Sequence, residues 1–166
     1  MIVVSDTTPI SELAKVEHLM LLPQLFGTVM IPEGVFNELR AGDHPVSNRV
    51  QDLSWLTVVM VNDLQKVNEL QKVNGLDLGE SEAIALAEEV GAAQVLIDER
   101  AARRVAKQRH LPLIGTMGVL LLAKRQGLLT EVKGVLDKMQ GQGTRISDRL
   151  YGQVLALAQE LENSHG

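Results

Sequence analysis

Two aspartates stand at the ends of short apolar runs, and those positions make them the first candidates for chemistry. Asp6 follows Ile2-Val3-Val4-Ser5, and Asp98 follows Val95-Leu96-Ile97. Such β-branched runs read as buried strands. Open α/β sheets build their sites beyond the carboxyl ends of strands like these. Two carboxylates facing one crevice push each other's pKa upward. A divalent cation removes that conflict, because hard cations take oxygen ligands. The competing role for each aspartate is helix capping. Thr8 is better placed against Pro9 to cap the helix after Asp6, which leaves Asp6 free. Asp98 has no rival cap nearby, and there a cap and a ligand role can coexist.

Five more acids fall in helical patterns. Glu38 lies at the edge of the apolar face made by Val35, Phe36 and Leu39, where a solvated glutamate is the plain reading. Glu33, in the first turn of the same helix, is explained by the helix dipole. In Asp77-Leu78-Gly79-Glu80-Ser81-Glu82, the pair Asp77 and Glu80 fits a capping box. Glu82 has no such explanation and precedes an apolar stripe of small residues that would let the helix approach the sheet. Glu80 and Glu82 point to nearly opposite faces of a helix, so both remain candidates. Other chemistries find less support. His18, His44, His110 and His165 show no paired ligand spacing. There is no Walker loop, dinucleotide fingerprint or nucleophile elbow. Gly115-Thr116-Met117-Gly118 reads as a turn into a helix.

The elements that must hold these residues alternate strand and helix. Strands are predicted at Ile2–Val4, Thr28–Ile31, Leu56–Val61, Gln94–Ile97 and Leu113–Ile114. Helices are predicted at Pro9–Val16, His18–Leu25, Pro32–Arg40, Val46–Leu53, Asp63–Val73, Asp77–Val90, a basic stretch to Arg109, Met117–Arg125, Glu131–Gln140 and Ser147–Glu162. The break between the third and fourth helices is Ala41-Gly42-Asp43-His44-Pro45. Crossover-length connections give an α/β fold with a largely parallel sheet. Residues 1–145 form the expected domain, and residues 146–166 a final helix docked on that domain or on a partner.

Composition narrows the class. The chain has 166 residues and no cysteine, which excludes disulfides, thiolate metal sites and a cysteine nucleophile. Aromatic residues make up only 2%, so the interior must be aliphatic. A net charge of −5 argues against a general polyanion-coating surface but not against nucleic acid as substrate. No apolar run reaches membrane-spanning length and Met1 leads directly into the first strand, so the expectation is a cytoplasmic protein with no membrane association.

Taken together, the runs SDTTPISELAKV, IPEGVFNELR, LDLGESEAIALA, LIDERAARRVA and PLIGTMGVLLLAKRQGLL resemble a PIN domain. The closest likeness is to a less-characterised prokaryotic branch related to toxin–antitoxin ribonucleases, and ISDRLYGQVLALA extends it toward the C-terminus. The resemblance implies a three-layer α/β/α fold, Rossmann-like, with extra C-terminal helices. It also implies an acidic quartet at Asp6, Glu38, Glu82 and Asp98 that binds Mg²⁺ or Mn²⁺, with Glu80 as the other candidate for the third position. Thr7 and Thr8 are candidate assisting hydroxyls. The implied activity is metal-dependent cleavage of RNA, since bound divalent ions polarise phosphodiesters and acidify water. Phosphate contacts then fall to Arg100, Arg103, Arg104 and Lys107, for which a solvated charged face is the alternative. The implied partners are RNA, a second copy of the chain and a small antitoxin protein. Two other functions compete: a haloacid-dehalogenase-like phosphatase with Asp6 as nucleophile, and a catalytically silent binding module.

Overall fold

The structure, a computed structural model, describes residues 1–43 and 46–161. His44 and Pro45 of the predicted break lie outside the described residues, as do Glu162 and His165. Five parallel strands form one sheet: β1 (Val3–Ser5), β2 (Val29–Pro32), β3 (Leu56–Val59), β4 (Gln94–Leu96) and β5 (Leu113–Ile114). Their spatial order is β3-β2-β1-β4-β5. From β1 the chain builds outward to one side through β2 and β3, then returns to the other side of β1 with β4 and β5. The switch point between these two directions is the gap at the carboxyl ends of β1 and β4, where sheets of this type place ligands.

Alternation along each strand sends side chains to both faces. Val3 and Leu96 enter one apolar cluster, while Val4, Val95 and Ile97 enter another. The helices are α1 (Thr7–Lys15), α2 (Leu21–Phe26), α3 (Glu33–Ala41), α4 (Leu64–Lys72), α5 (Leu78–Val90), α6 (Arg100–Gln108), α7 (Thr116–Arg125), α8 (Lys133–Gly141) and α9 (Asp148–Leu157). Residues of α1, α2, α3, α7, α8 and α9 fill the first cluster, and residues of α4, α5 and α6 the second. The result is the three-layer α/β/α arrangement. Val3, Val4, Val95, Leu96 and Ile97 are fully buried. Each such aliphatic side chain contributes about 1.5–3 kcal/mol, so the strands that carry Asp6 and Asp98 are held from both faces.

The alanine-rich α5 starts with the predicted capping box, Asp77 and Glu80 each accepting the other's backbone N–H. It ends at Gly91 in the left-handed conformation (φ 61°). Two predictions change. Val46–Leu53 is not a helix: its described residues form turns and a single 3₁₀ turn at Val50–Asp52. That short stretch offers only Val46 and Val50 to the core, too little to stabilise a helix of its length. The third strand stops at Val59 instead of Val61, because it is the outer strand and has a neighbour on one side only. The final helix packs Val154, Leu155 and Ala158 into the first cluster. Among the described residues no helix is long and apolar enough to cross a membrane.

Candidate active site

Helix α1 begins at Thr7, two residues earlier than its proline suggests, so Asp6 occupies the N-cap position and Thr8 does not. Pro9 is the third helical residue. Its missing N–H is still one of the unpaired donors of the first turn, so the ring is tolerated there. The Asp6 backbone N–H donates to Leu96 O at 2.9 Å, which ties the end of β1 to the end of β4. The Asp6 side chain is almost wholly buried, at 3% exposure. That burial, more than anything else, raises its pKa from 3.8 to about 7. The backbone N–H of Thr7 works in the opposite direction, while the negative charges of Glu80, Asp77 and Glu38 add to the rise.

Glu38 reaches this carboxylate from α3, held by the Thr7 hydroxyl, which donates to Glu38 Oε2 at 2.9 Å. Between the two acids stands Gly79, the second residue of α5. A Cβ built on Gly79 would lie 2.9 Å from Glu38 Oε2 and 3.7 Å from Asp6 Oδ1. Both carboxylates therefore crowd one point that any other residue would occupy. Asp98 approaches from β4, with its pKa also raised, first by burial and more weakly by Glu12. Against that, the Thr116 hydroxyl donates to Asp98 Oδ2 at 2.5 Å and the Thr116 backbone N–H to Oδ1 at 2.7 Å. The Arg103 charge also lowers it. Asp98 is thus not the N-cap of α6, a position held by Glu99; it caps the start of α7 from across the crevice.

Asp6, Glu38, Glu80 and Asp98 supply only oxygen donors, the set that hard divalent cations prefer. Among the described residues no three acids or imidazoles converge on one point closely enough to hold an ion by themselves. The fit lies in the chemistry of the donors and in the glycine-sized recess between two of them, with water or substrate oxygens left to complete a coordination shell.

A family model described as a PIN domain matches residues 2–160. The chain belongs to the PIN-domain family. PIN domains as a class are nucleases acting on nucleic acid, and they generally use divalent metal ions. No match to the chain was found among curated proteins or among solved structures.

In this PIN domain the two glutamates of α5 part company. Glu82 Oε1 accepts the Gly34 backbone N–H at 2.9 Å, in the first turn of α3. Burial raises the Glu82 pKa, that N–H lowers it, and Glu33 raises it again; Asp6 is not among its partners. Glu80 is the one whose charge acts on Asp6, and it too is raised, chiefly by burial and then by Asp77 and Glu99. The structure therefore sets Glu38 and Glu80 beside Asp6, leaves Asp98 at the end of the neighbouring strand with Thr116, Arg103 and Glu12 as its partners, and turns Glu82 toward α3.

The basic helix divides as well. Arg103 faces inward, donating to Ile97 O at 2.6 Å beside Asp98. Arg100, Arg104 and Lys107 are exposed. Thr8 directs its hydroxyl to Glu99 Oε1 at 3.4 Å. The residue that sequence reasoning passed over is Thr116. Its signal was a hydroxyl at the first position of a helix that follows a short strand, in a run read as a plain turn. Gly79 and Gly115 were passed over too. A Cβ on Gly115 would stand 2.9 Å from Asp98 Oδ1 and 3.1 Å from Arg103 Nη1.

Proposed function

We propose that this PIN domain is an Mg²⁺- or Mn²⁺-dependent endoribonuclease that hydrolyses phosphodiester bonds of RNA at the β1–β4 switch point. The observation that carries the reading is Asp6, a buried carboxylate with a pKa near 7, set among the charges of Glu80, Asp77 and Glu38. Carboxylates gathered at such cost in burial and repulsion answer to a cation. Asp6, Glu38, Glu80 and Asp98 are the residues assigned to hold it. Glu80 takes the third position because its charge acts on Asp6, whereas Glu82 is turned to the Gly34 N–H of α3.

When bound, a divalent ion supplies positive charge against the phosphate oxygens and a more acidic water. The chain's own groups do the positioning. Thr7 fixes the Glu38 carboxylate, and Thr116 fixes Asp98 through two hydrogen bonds. Such outer partners orient ligands and tune their basicity. Asp6 is held by the sheet itself through its N–H to Leu96. The exposed Arg100, Arg104 and Lys107 are the proposed first contacts for phosphates outside the acids, while Arg103 stays beside Asp98.

The phosphatase alternative asks for a lysine beside an ionised Asp6. Asp6 is instead surrounded by acids and holds its proton to about pH 7. Family analogy alone supports the remaining parts of the proposal: a cytoplasmic toxin silenced by a small antitoxin, acting as a homodimer. The test is cleavage of single-stranded RNA by the purified protein in Mn²⁺, with EDTA and Asp6→Asn as controls. Metal-dependent cleavage lost in the variant supports the nuclease. Cleavage that persists in EDTA or in Asp6→Asn refutes it, and RNA binding without cleavage in either metal moves the assignment to a silent module.

A further inference from the structure

A recess of about 660 Å³ opens beside Asp98 and runs away from the acids under the C-terminal segment. That is the size of a pocket for a small ligand. Its apolar lining includes Ile114 of β5, Met117 of α7 and Leu150 of α9. Leu150 is 37% exposed, so part of this apolar surface has no cover within the chain. The polar lining includes Arg145 as well as Glu12 and Glu99. Arg145 makes no ion pair among the described residues.

The segment that roofs the recess is fixed in place. Thr144 Oγ1 donates to Glu12 Oε2 of α1 at 2.6 Å, Gln140 Nε2 donates to Ile146 O at 3.3 Å, and the Ile146 side chain is buried in the core. The recess is therefore preformed, and it is continuous with the acids through Asp98. Its chemistry is divided in the way a nucleotide is divided. The apolar lining accepts a base, with the Met117 thioether suited to an aromatic ring edge. A free guanidinium accepts a phosphate. Carboxylates at the rim accept the N–H groups of a base edge.

We propose that this recess seats one unpaired nucleotide of the RNA next to the bond that is cut, with its base between Met117, Ile114 and Leu150 and its phosphate on Arg145. The inference rests on the nuclease reading above and adds to it a subsite for the nucleotide beside the cut. A base stacked in a duplex must leave its stack to enter a recess, so the base seated here is an unpaired one.

The test uses the full chain and a 5′-labelled single-stranded hexaribonucleotide, with binding followed by fluorescence anisotropy in Ca²⁺ and cleavage followed in Mn²⁺. Leu150→Trp fills the apolar part of the recess, Arg145→Ala removes the phosphate contact, and Arg125→Ala, an exposed arginine outside the recess, is the control. The expected result is about tenfold weaker binding for each recess variant, a rise in KM that exceeds any fall in kcat, and no change in the control. Wild type should bind the same oligonucleotide far more weakly once it is annealed to its complement. Thermal melts identify a Leu150→Trp protein that has not folded, in which case Arg145→Ala carries the test. Unchanged binding and KM in the folded recess variants of a wild type that cleaves would overturn the recess assignment and leave the nuclease standing. A wild type that neither binds nor cleaves would overturn both.

Discussion

Replacing Asp6 by asparagine should make the metal-free protein more stable at neutral and alkaline pH while ending its activity. The Asp6 carboxyl titrates at 3.8 in an unperturbed chain and at about 7 in the folded protein. The folded state thus keeps a proton that the unfolded state has already released. Asp6 costs nothing below the lower value. Stability then falls as pH rises, until the folded state has also lost the proton above about pH 7. At about 1.4 kcal/mol per unit, the shift amounts to about 4 kcal/mol at pH 8. Asparagine cannot ionise, and its amide oxygen still accepts the Thr7 N–H. Asp6→Asn should therefore exceed wild type at pH 8 in EDTA by up to about 4 kcal/mol, or about 10 °C in Tm for a domain of this length. That advantage should shrink by about 2.5 kcal/mol at pH 5, where nearly all of the folded wild-type carboxyl is protonated. The difference between the two proteins is the quantity to follow, because Glu80, Glu82 and Asp98 are raised in both. Urea unfolding at the two pH values gives it directly. Saturating Mn²⁺ should stabilise wild type by about 2–3 kcal/mol at one hundred times its Kd and do far less for the variant. An Asp6→Asn protein no more stable than wild type at pH 8, or an advantage equal at both pH values, would refute the reasoning.

Four further substitutions separate the roles of neighbouring residues. Gly79→Ala should leave the Tm nearly unchanged or slightly higher, since alanine favours the helix by up to about 1 kcal/mol. The new methyl would meet Glu38 Oε2 at 2.9 Å and displace it, so Mn²⁺-dependent cleavage should fall at least about tenfold. Glu80→Gln keeps an acceptor for the Asp77 N–H and should lose cleavage to a similar degree, whereas Glu82→Ala should cost about 1 kcal/mol of stability through the Gly34 N–H and leave cleavage nearly intact. Reversal of that pair would return the third position to Glu82. Thr116→Val removes one of two donors that favour ionised Asp98; the acidic limb of the pH–rate profile should therefore move to higher pH, and an unmoved limb counts against Asp98 as a metal ligand.

The strands that carry Asp6 and Asp98 were legible because the same residues are apolar, β-branched and followed by an acid. The order of the sheet was legible only as a class, since the periodicity of Val95 to Ile97 says buried but not beside which strand. The cap of α1 was misplaced by two residues because proline is tolerated anywhere in the first turn, and the sequence cannot say which of those positions it holds. Glu80 and Glu82 could not be separated for a related reason. A helix wheel shows that they diverge, but only the docking of α5 against α3 shows which way each one points. Thr116 was passed over because a hydroxyl that opens a helix does not name its partner, which lies 18 residues away across two strand ends. Hydrogen bonds of that kind have no local pattern.

The Glu12–Thr144 bond joins residues 132 positions apart. Asp6, Glu38, Asp98 and Thr116 are also spread along most of the chain. Contacts between such distant residues are slow to form, because long loops must close first. During synthesis the first strand emerges from the ribosome long before its partners, and Asp6 has no β4 beside it until residue 96 has followed. The acids are therefore all present only once Asp98 has been made, Thr116 joins them with α7, and the recess beside them is complete only with α9. A site assembled in this order stays incomplete through more than half of the chain's synthesis.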